Sequence, residues 1–171
     1  MEKPELLFRH NPINICEPNF SIYKDYPEAL VLYQVYRKRW LSRYYQSQGI
    51  RVFVDLNVFH EYYELNLLGV PKGWSAYSTR GVSDRPEDIL REIEIAENHA
   101  SPNPILFLCY GGGNKIKKIC QELAYKNVYY VTDFVNREKK LKDKTSKIFQ
   151  LPIPSLFLPH SEQENMLHYE N

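Results

Sequence analysis

Short apolar blocks alternate with longer amphipathic stretches along most of this chain. Ile50-Arg-Val-Phe-Val-Asp-Leu56, Trp74 to Thr79, Ile105 to Tyr110 and Val128-Tyr-Tyr-Val-Thr132 have strand length, are rich in β-branched and aromatic residues, and follow Gly, Pro or Asn. Asn19-Phe-Ser-Ile-Tyr23 reads as a shorter first strand. Between these blocks, helical periodicity marks about Tyr26 to Gln48, Val58 to Leu68, Arg85 to His99 and Asn114 to Lys126. Gly49 and Gly69 follow the first two helices, where a left-handed residue closes the last turn. The alternation predicts an α/β fold, with about five mainly parallel strands and four helices in one domain, because parallel neighbours require crossovers. That domain is expected to span residues 1–134. Residues 135–171 read as a tail that packs on the domain or extends from it: a charged run from Arg137 to Lys147, then Leu151-Pro-Ile-Pro-Ser-Leu-Phe-Leu-Pro159, whose prolines exclude a helix.

Two helix starts share a local signature, Asp25-Tyr-Pro-Glu28 and Asp84-Arg-Pro-Glu87. An Asp cap accepts a backbone N–H, Pro is tolerated in the first turn, and Glu three residues on can close a capping box. These acids are assigned to capping and left out of the candidate site.

The chemistry is concentrated where Pro104-Ile-Leu-Phe-Leu-Cys-Tyr110 runs into Gly111-Gly112-Gly113-Asn114-Lys115. A strand that breaks on three glycines into a helix brings exposed amides and partial positive charge to one point, a combination suited to phosphate. The run is neither a Walker A pattern nor a dinucleotide fingerprint. Parallel strands would place Asp55 and Asn57, then Ser78, Thr79 and Arg80, then Tyr110 and the glycine run, then Thr132 and Asp133 along one carboxyl-end rim. These residues form the expected pocket for a phosphate ester or nucleotide, with Gly111, Gly112, Gly113, Asn114, Lys115, Ser78, Thr79, Arg80, Asn57 and Tyr110 as ligand contacts. Asp55 and Asp133 are the weak catalytic candidates. Asp55 must lie at its strand's end, because a charge in the sheet interior is costly, and pairing with Arg51, Arg80 or a backbone N–H is the alternative to any catalytic use.

Other constellations fall short. His60 with Glu61 and Glu64 lacks a second histidine on the same helical face, so no metal site is assigned. None of the five histidines sits in a recognisable nucleophilic arrangement. Three cysteines with no metal-like spacing, a Met-Glu-Lys-Pro-Glu start and no apolar run of about 18 residues point to a soluble cytoplasmic protein with no membrane association. No cofactor is named by any motif, and whether the chain is an enzyme stays open.

Net charge is only +1, but its distribution is uneven. Residues 34 to 51 carry Arg37, Lys38, Arg39, Arg43 and Arg51 and no acid, residues 52 to 101 hold nine acids against four bases, and residues 102 to 147 hold ten bases against four acids. Tyr33, Arg37, Trp40 and Tyr44 recur at helical spacing on the first long helix. Rings that stack on unpaired bases beside arginines that meet phosphates suit single-stranded nucleic acid, with Arg37, Arg39, Trp40 and Arg43 as contacts. Packing of most of these aromatics against the sheet is the competing expectation, and the favoured one.

The run Pro18-Asn-Phe-Ser-Ile-Tyr-Lys-Asp25-Tyr-Pro-Glu-Ala-Leu30, with Tyr36-Arg-Lys-Arg-Trp40, Gln46-Ser-Gln-Gly-Ile50, Leu68-Gly-Val-Pro-Lys-Gly73, Ala76-Tyr-Ser-Thr79, Gly81 and Tyr110-Gly111, resembles domain of unknown function 4417 over about residues 18 to 134. The resemblance implies a protein of phages, plasmids or other mobile elements, acting in a bacterial host cell. It brings no catalytic residues with it, and many members have a proline and a hydroxyl residue where this chain has Asp55. The expectation is therefore a mobile-element protein that binds a phosphate-bearing ligand, nucleotide or nucleic acid, at the strand-end rim. The alternatives are a protein-interaction factor, such as an inhibitor of a host defence or replication protein, and a metal-assisted phosphoesterase using Asp55 and Asp133.

Overall fold

The computed structural model describes residues 11–132. Five strands, β1 (Asn14–Cys16), β2 (Arg51–Asp55), β3 (Ala76–Arg80), β4 (Leu106–Tyr110) and β5 (Val128–Val131), form one curled, wholly parallel sheet in the order β1-β2-β3-β4-β5. Four α-helices occur among the described residues: α1 (Glu28–Ser47), α2 (Tyr63–Asn66), α3 (Glu87–Ala100) and α4 (Gly113–Glu122). The α/β alternation is as the hydrophobic pattern predicts.

Strict sequential order decides where the helices go. Each crossover between neighbouring parallel strands turns right-handed, so a sheet that never reverses its order collects its crossing helices on one face. The register rows agree. Val54, Tyr77, Phe107 and Val128 lie side by side across β2 to β5 and pack with Ile89 and Ile93 of α3 and Ile116 and Cys120 of α4 in the main core. At the β1 edge, Ile15 and Val52 meet Tyr45 of α1 on that face. The alternate residues Phe53, Asp55, Ala76, Ser78, Leu106 and Leu108 are buried too. Burial on both faces explains why these strands read as continuous apolar runs rather than alternating ones.

The first strand differs from expectation. β1 is Asn14–Cys16, not residues 19–23, and its ladder ends with the Glu17 amide donating to the Phe53 carbonyl at 2.8 Å. Pro18 follows and has no N–H to continue pairing. The segment after it turns away, with the Tyr26 amide on the Tyr23 carbonyl, and places Ile22 and Tyr26 against Val31 and Val35 of α1. The helix expected over 58–68 is interrupted: Phe59 is extended, His60–Tyr62 is a 3-10 turn and only Tyr63–Asn66 is α-helical. The Asp caps are also corrected. Pro27 and Pro86 themselves occupy the cap positions with no side-chain cap bond, leaving Asp25 and Asp84 two residues upstream. Glu28, Glu87 and Asp88 still sit in first turns, where they favour the helix dipole. Gly49 and Gly69 close α1 and α2 in the left-handed conformation as expected.

Phe107 is fully buried at the centre of the main core. Phe107→Ala should therefore lower the unfolding free energy by about 3–5 kcal/mol, read as a reduced urea midpoint with an unchanged slope.

Candidate functional site

The parallel strands end on one rim, and the turns along it are laced by continued ladder bonds. Leu56 N donates to Ser78 O at 2.8 Å, Gly81 N to Tyr110 O at 2.8 Å, and Gly111 N to Val131 O at 3.4 Å. Gly111, Gly112 and Gly113 have φ of 78°, 75° and 71°. Three successive left-handed residues are readily built only from glycine.

Gly112 and Gly81 are required for contact between turns. A Cβ at Gly112 would sit 2.8 Å from the Gly81 carbonyl group and inside Ile116; one at Gly81 would meet Ile116, the Cys109 Sγ and the Gly111 carbonyl. The inner part of the bend is thus filled by the neighbouring turn. Its outer part is different. Gly113 has open space where a Cβ would stand, no side chain caps α4, its first turn holds no acid, and Asn114, Lys115 and the β3-end Arg80 are exposed. The remaining rim residues divide by depth. Ser78 and Thr79 are fully buried, Ser78 donating to Phe53 O at 3.4 Å and Thr79 facing the Glu92 carboxyl, while Asn57 and Tyr110 are half-buried. The expected ligand set is therefore not one open pocket: Arg80, Gly113, Asn114 and Lys115 reach the surface and the hydroxyls do not. Asp133 lies outside the described residues.

Asp55 does not pair with Arg51 or Arg80, but the backbone contact expected as the third alternative is present, from Asn57. Its partner is Lys38, whose Nζ donates to Asp55 Oδ2 at 3.4 Å and to the Asp55 carbonyl at 3.1 Å, with Glu17 Oε2 3.9 Å away. The Asp55 amide donates to Glu17 at 3.2 Å, and Asn66 Nδ2 donates to the Asp55 carbonyl at 2.9 Å. Arg39 completes the cluster, clamping Glu17 and the Asn66 and Leu68 carbonyls, and Ser42 donates to Glu17 at 2.7 Å. Glu17, Lys38, Asp55 and Asn66 are all buried. Arg39, expected on a nucleic-acid face, turns inward. The signal for this cluster was present in α1: Val31, Val35, Lys38, Ser42 and Tyr45 form its buried row, so Lys38 and Ser42 occupy core positions.

Burial pushes the Asp55 carboxyl up to about 6; the Lys38 ammonium opposes this and the Glu17 carboxylate adds to it. Glu92 is likewise raised by burial, opposed by the Thr79 hydroxyl. Among the described residues, no three His, Cys, Asp or Glu side chains converge to hold a metal ion.

The outward face of α1 carries aromatics. Tyr33 and Trp40 are 56% and 58% exposed, against the expectation that they pack inward, and Tyr36 between them is 62% exposed, whereas Tyr44 packs against Tyr45, Ile50 and Val52 as expected. The Arg37 guanidinium lies 4.0 Å over the Phe20 ring and 5.8 Å from Tyr33, and Trp40 stacks near-parallel with Tyr44 at 6.1 Å. Arg43 is exposed and donates to Gln46.

Comparison with known proteins places these features in a family. The family model for DUF4417, a domain of unknown function, matches residues 5–129. The chain is 30% identical over 130 residues to the Gene 1 protein of Mycobacterium phage D29, covering 74% of this chain and 47% of that protein. It is 32% identical over 97 residues to the Gene 1 protein of Mycobacterium phage L5, covering 55% of this chain and 42% of that protein. The chain thus spans less than half the length of these curated relatives. No solved structure matches. Among the described residues, no helix is long and apolar enough to cross a membrane.

Two outcomes follow from this geometry. Because the folded state raises the Asp55 pKa from 3.8 to about 6, it binds that proton more tightly than the unfolded chain does. The resulting stabilisation is full below about pH 4 and lost as pH rises through about 6, and the raised Glu92 acts in the same direction. In melting temperature against pH, Asp55→Asn should flatten the segment between 4 and 6; an unaltered slope would assign the titration to another group. Gly112→Ala should also destabilise more than Gly113→Ala. The former combines left-handed strain of about 1–2 kcal/mol with overlap on Gly81 and Ile116, and the latter brings strain alone. Equal losses in chemical denaturation would contradict the packing account.

Proposed function

Starting from a chain that belongs to the DUF4417 family, we propose that it is a phage or mobile-element protein that binds a phosphate-bearing ligand, nucleotide or nucleic acid, inside the bacterial host. The ligand's anionic group is met at the outer part of the strand-end rim. The observation that carries this reading is the uncapped, acid-free start of α4, where Gly113, Asn114 and Lys115 face solvent, with the exposed Arg80 one residue before Gly81, which packs on Gly112. Free amide donors and the positive end of a ten-residue helix attract an anion. Lys115 and Arg80 supply full charges, of which arginine can grip phosphate with two donors.

A factor that acts on a host or phage protein is the second reading, and the observation favouring it is the exposed Tyr33, Tyr36 and Trp40 row on α1. For that reading, rim substitutions leave function intact.

A thermal-shift screen of nucleoside mono-, di- and triphosphates and short DNAs tests the first reading, since a ligand preferring the native state raises its melting temperature. Lys115→Glu should abolish the shift. Asn114→Asp provides an internal control: a first-turn carboxylate should stabilise α4 by about 0.3–1 kcal/mol while repelling the ligand's anion. If a ligand raises the melting temperature of both variants as much as that of the native chain, the rim does not bind it.

A further inference from the structure

The geometry points to the outward ridge of α1 as a stacking platform for single-stranded nucleic acid, a surface separate from the rim and independent of it. At 100° per residue, Tyr33, Tyr36, Arg37, Trp40, Arg43 and Tyr44 fall within an arc of about 120°, opposite the buried row of Val31, Val35, Lys38, Ser42 and Tyr45. From Tyr33 to Tyr44 the ridge runs about 17 Å along the helix axis, room for about five nucleotides at duplex-like spacing.

Three observations choose this occupant. The first is charge. From Ala29 to Val54 the chain contains no acid, and with Lys38 and Arg39 committed to Glu17 and Asp55, the bases left on the ridge are the exposed Arg43 and the half-buried Arg37, whose guanidinium lies over Phe20 and donates to Gln34. The second is the nature of the exposed side chains. The exposed rings are Tyr33, Tyr36 and Trp40, with Leu32 at the edge of the ridge only 37% exposed, and the Trp40 plane lies 6° from that of Tyr44, which itself packs against the Tyr45, Ile50 and Val52 cluster. Aligned ring faces serve bases of any sequence, and arginine adds phosphate contact and cation–π attraction. The third is shape. A convex surface on one helix, about 17 Å long, offers little of the roughly 800 Å² per partner that a stable protein interface buries, whereas a flexible strand can lie along it. Two arginines are too few to hold duplex DNA through its backbone.

Trp40 makes the proposal directly readable. The chain has two tryptophans, and Trp74 is half-buried with its indole donating to the Ala76 carbonyl at 2.9 Å. In the full chain carrying Trp74→Phe, Trp40 is the sole indole, and its emission should be quenched on titration with oligo-dT at about 50 mM salt. The native chain should bind fluorescein-labelled dT20 in anisotropy, so the result does not depend on that variant folding. Trp40→Ala and Tyr36→Ala should each weaken binding about five- to a hundred-fold, in step with the loss of one stacked base. Two arginine contacts predict a shallow salt dependence, with a log–log slope of about −1.4. Lys115→Glu should retain quenching, which separates this surface from the rim. The inference is overturned if oligo-dT leaves Trp40 emission and anisotropy unchanged, if Trp40→Ala binds as tightly as the native chain, or if blunt duplex binds equally well. It is overturned too if light scattering finds a dimer that Trp40→Ala dissolves, for the ridge would then be occupied by a second copy.

Discussion

The buried ion cluster beneath α1 fixes how this helix presents itself. Glu17 closes β1, Asp55 closes β2, and Lys38 and Arg39 reach both carboxylates from one turn of α1, with Arg39 extending to the carbonyls that end α2. Four elements thus share one set of charges. Such a cluster is poor evidence for net stability, since desolvation offsets most of the attraction, but removing one partner would strand a buried charge at a cost of about 3–5 kcal/mol. Its stronger effect is orientation. Once Lys38 and Arg39 are committed inward, the helix cannot rotate, and Tyr33, Tyr36 and Trp40 must face outward.

Sheet order imposes the second constraint. A parallel sheet that runs β1 to β5 without reversal has no point where neighbouring crossovers diverge to open a crevice, the place where doubly wound sheets usually receive ligands. The turns at the strand ends can then close on one another, as Gly81 does on Gly112. This accounts for the split in the rim. Ser78 and Thr79 inside β3 are sealed, while Arg80, the last residue of that strand, and Gly113 to Lys115, past the glycine bend, emerge.

The sequence disclosed the fold through its periodicity and misled where a single residue decided the outcome. Apolar runs placed β2 to β5 within two residues, because strands buried on both faces leave a continuous hydrophobic trace. The first strand was misplaced because Asn14-Ile-Cys16 has almost no trace of its own; its identity comes from pairing with Arg51 to Phe53, a long-range fact. Pro27 and Pro86 imitated a first-turn position yet took the cap itself. Of the candidate site, the three left-handed glycines and the α4 start were legible, because glycine reports backbone conformation directly. The partner of Asp55 was not, although Lys38 sits in register with Val31, Val35 and Tyr45: a charged residue within an apolar row asks for a buried counter-charge, and the sequence offers several.

Charge counted along a chain is a poor guide to the field around it. Five bases without an acid between residues 34 and 51 suggested a strongly basic stripe, but Lys38 and Arg39 are neutralised inside by Glu17 and Asp55. With a net charge of +1, the protein has little long-range pull on a polyanion, so attraction must come from short-range groups. Within about a Debye length of 8 Å, the uncapped amides and Lys115 at α4 act on an anion, and so do the arginines that flank the α1 rings. At the ridge, ring stacking has to carry most of the affinity, because stacking, unlike a sparse pair of arginines, loses little to salt.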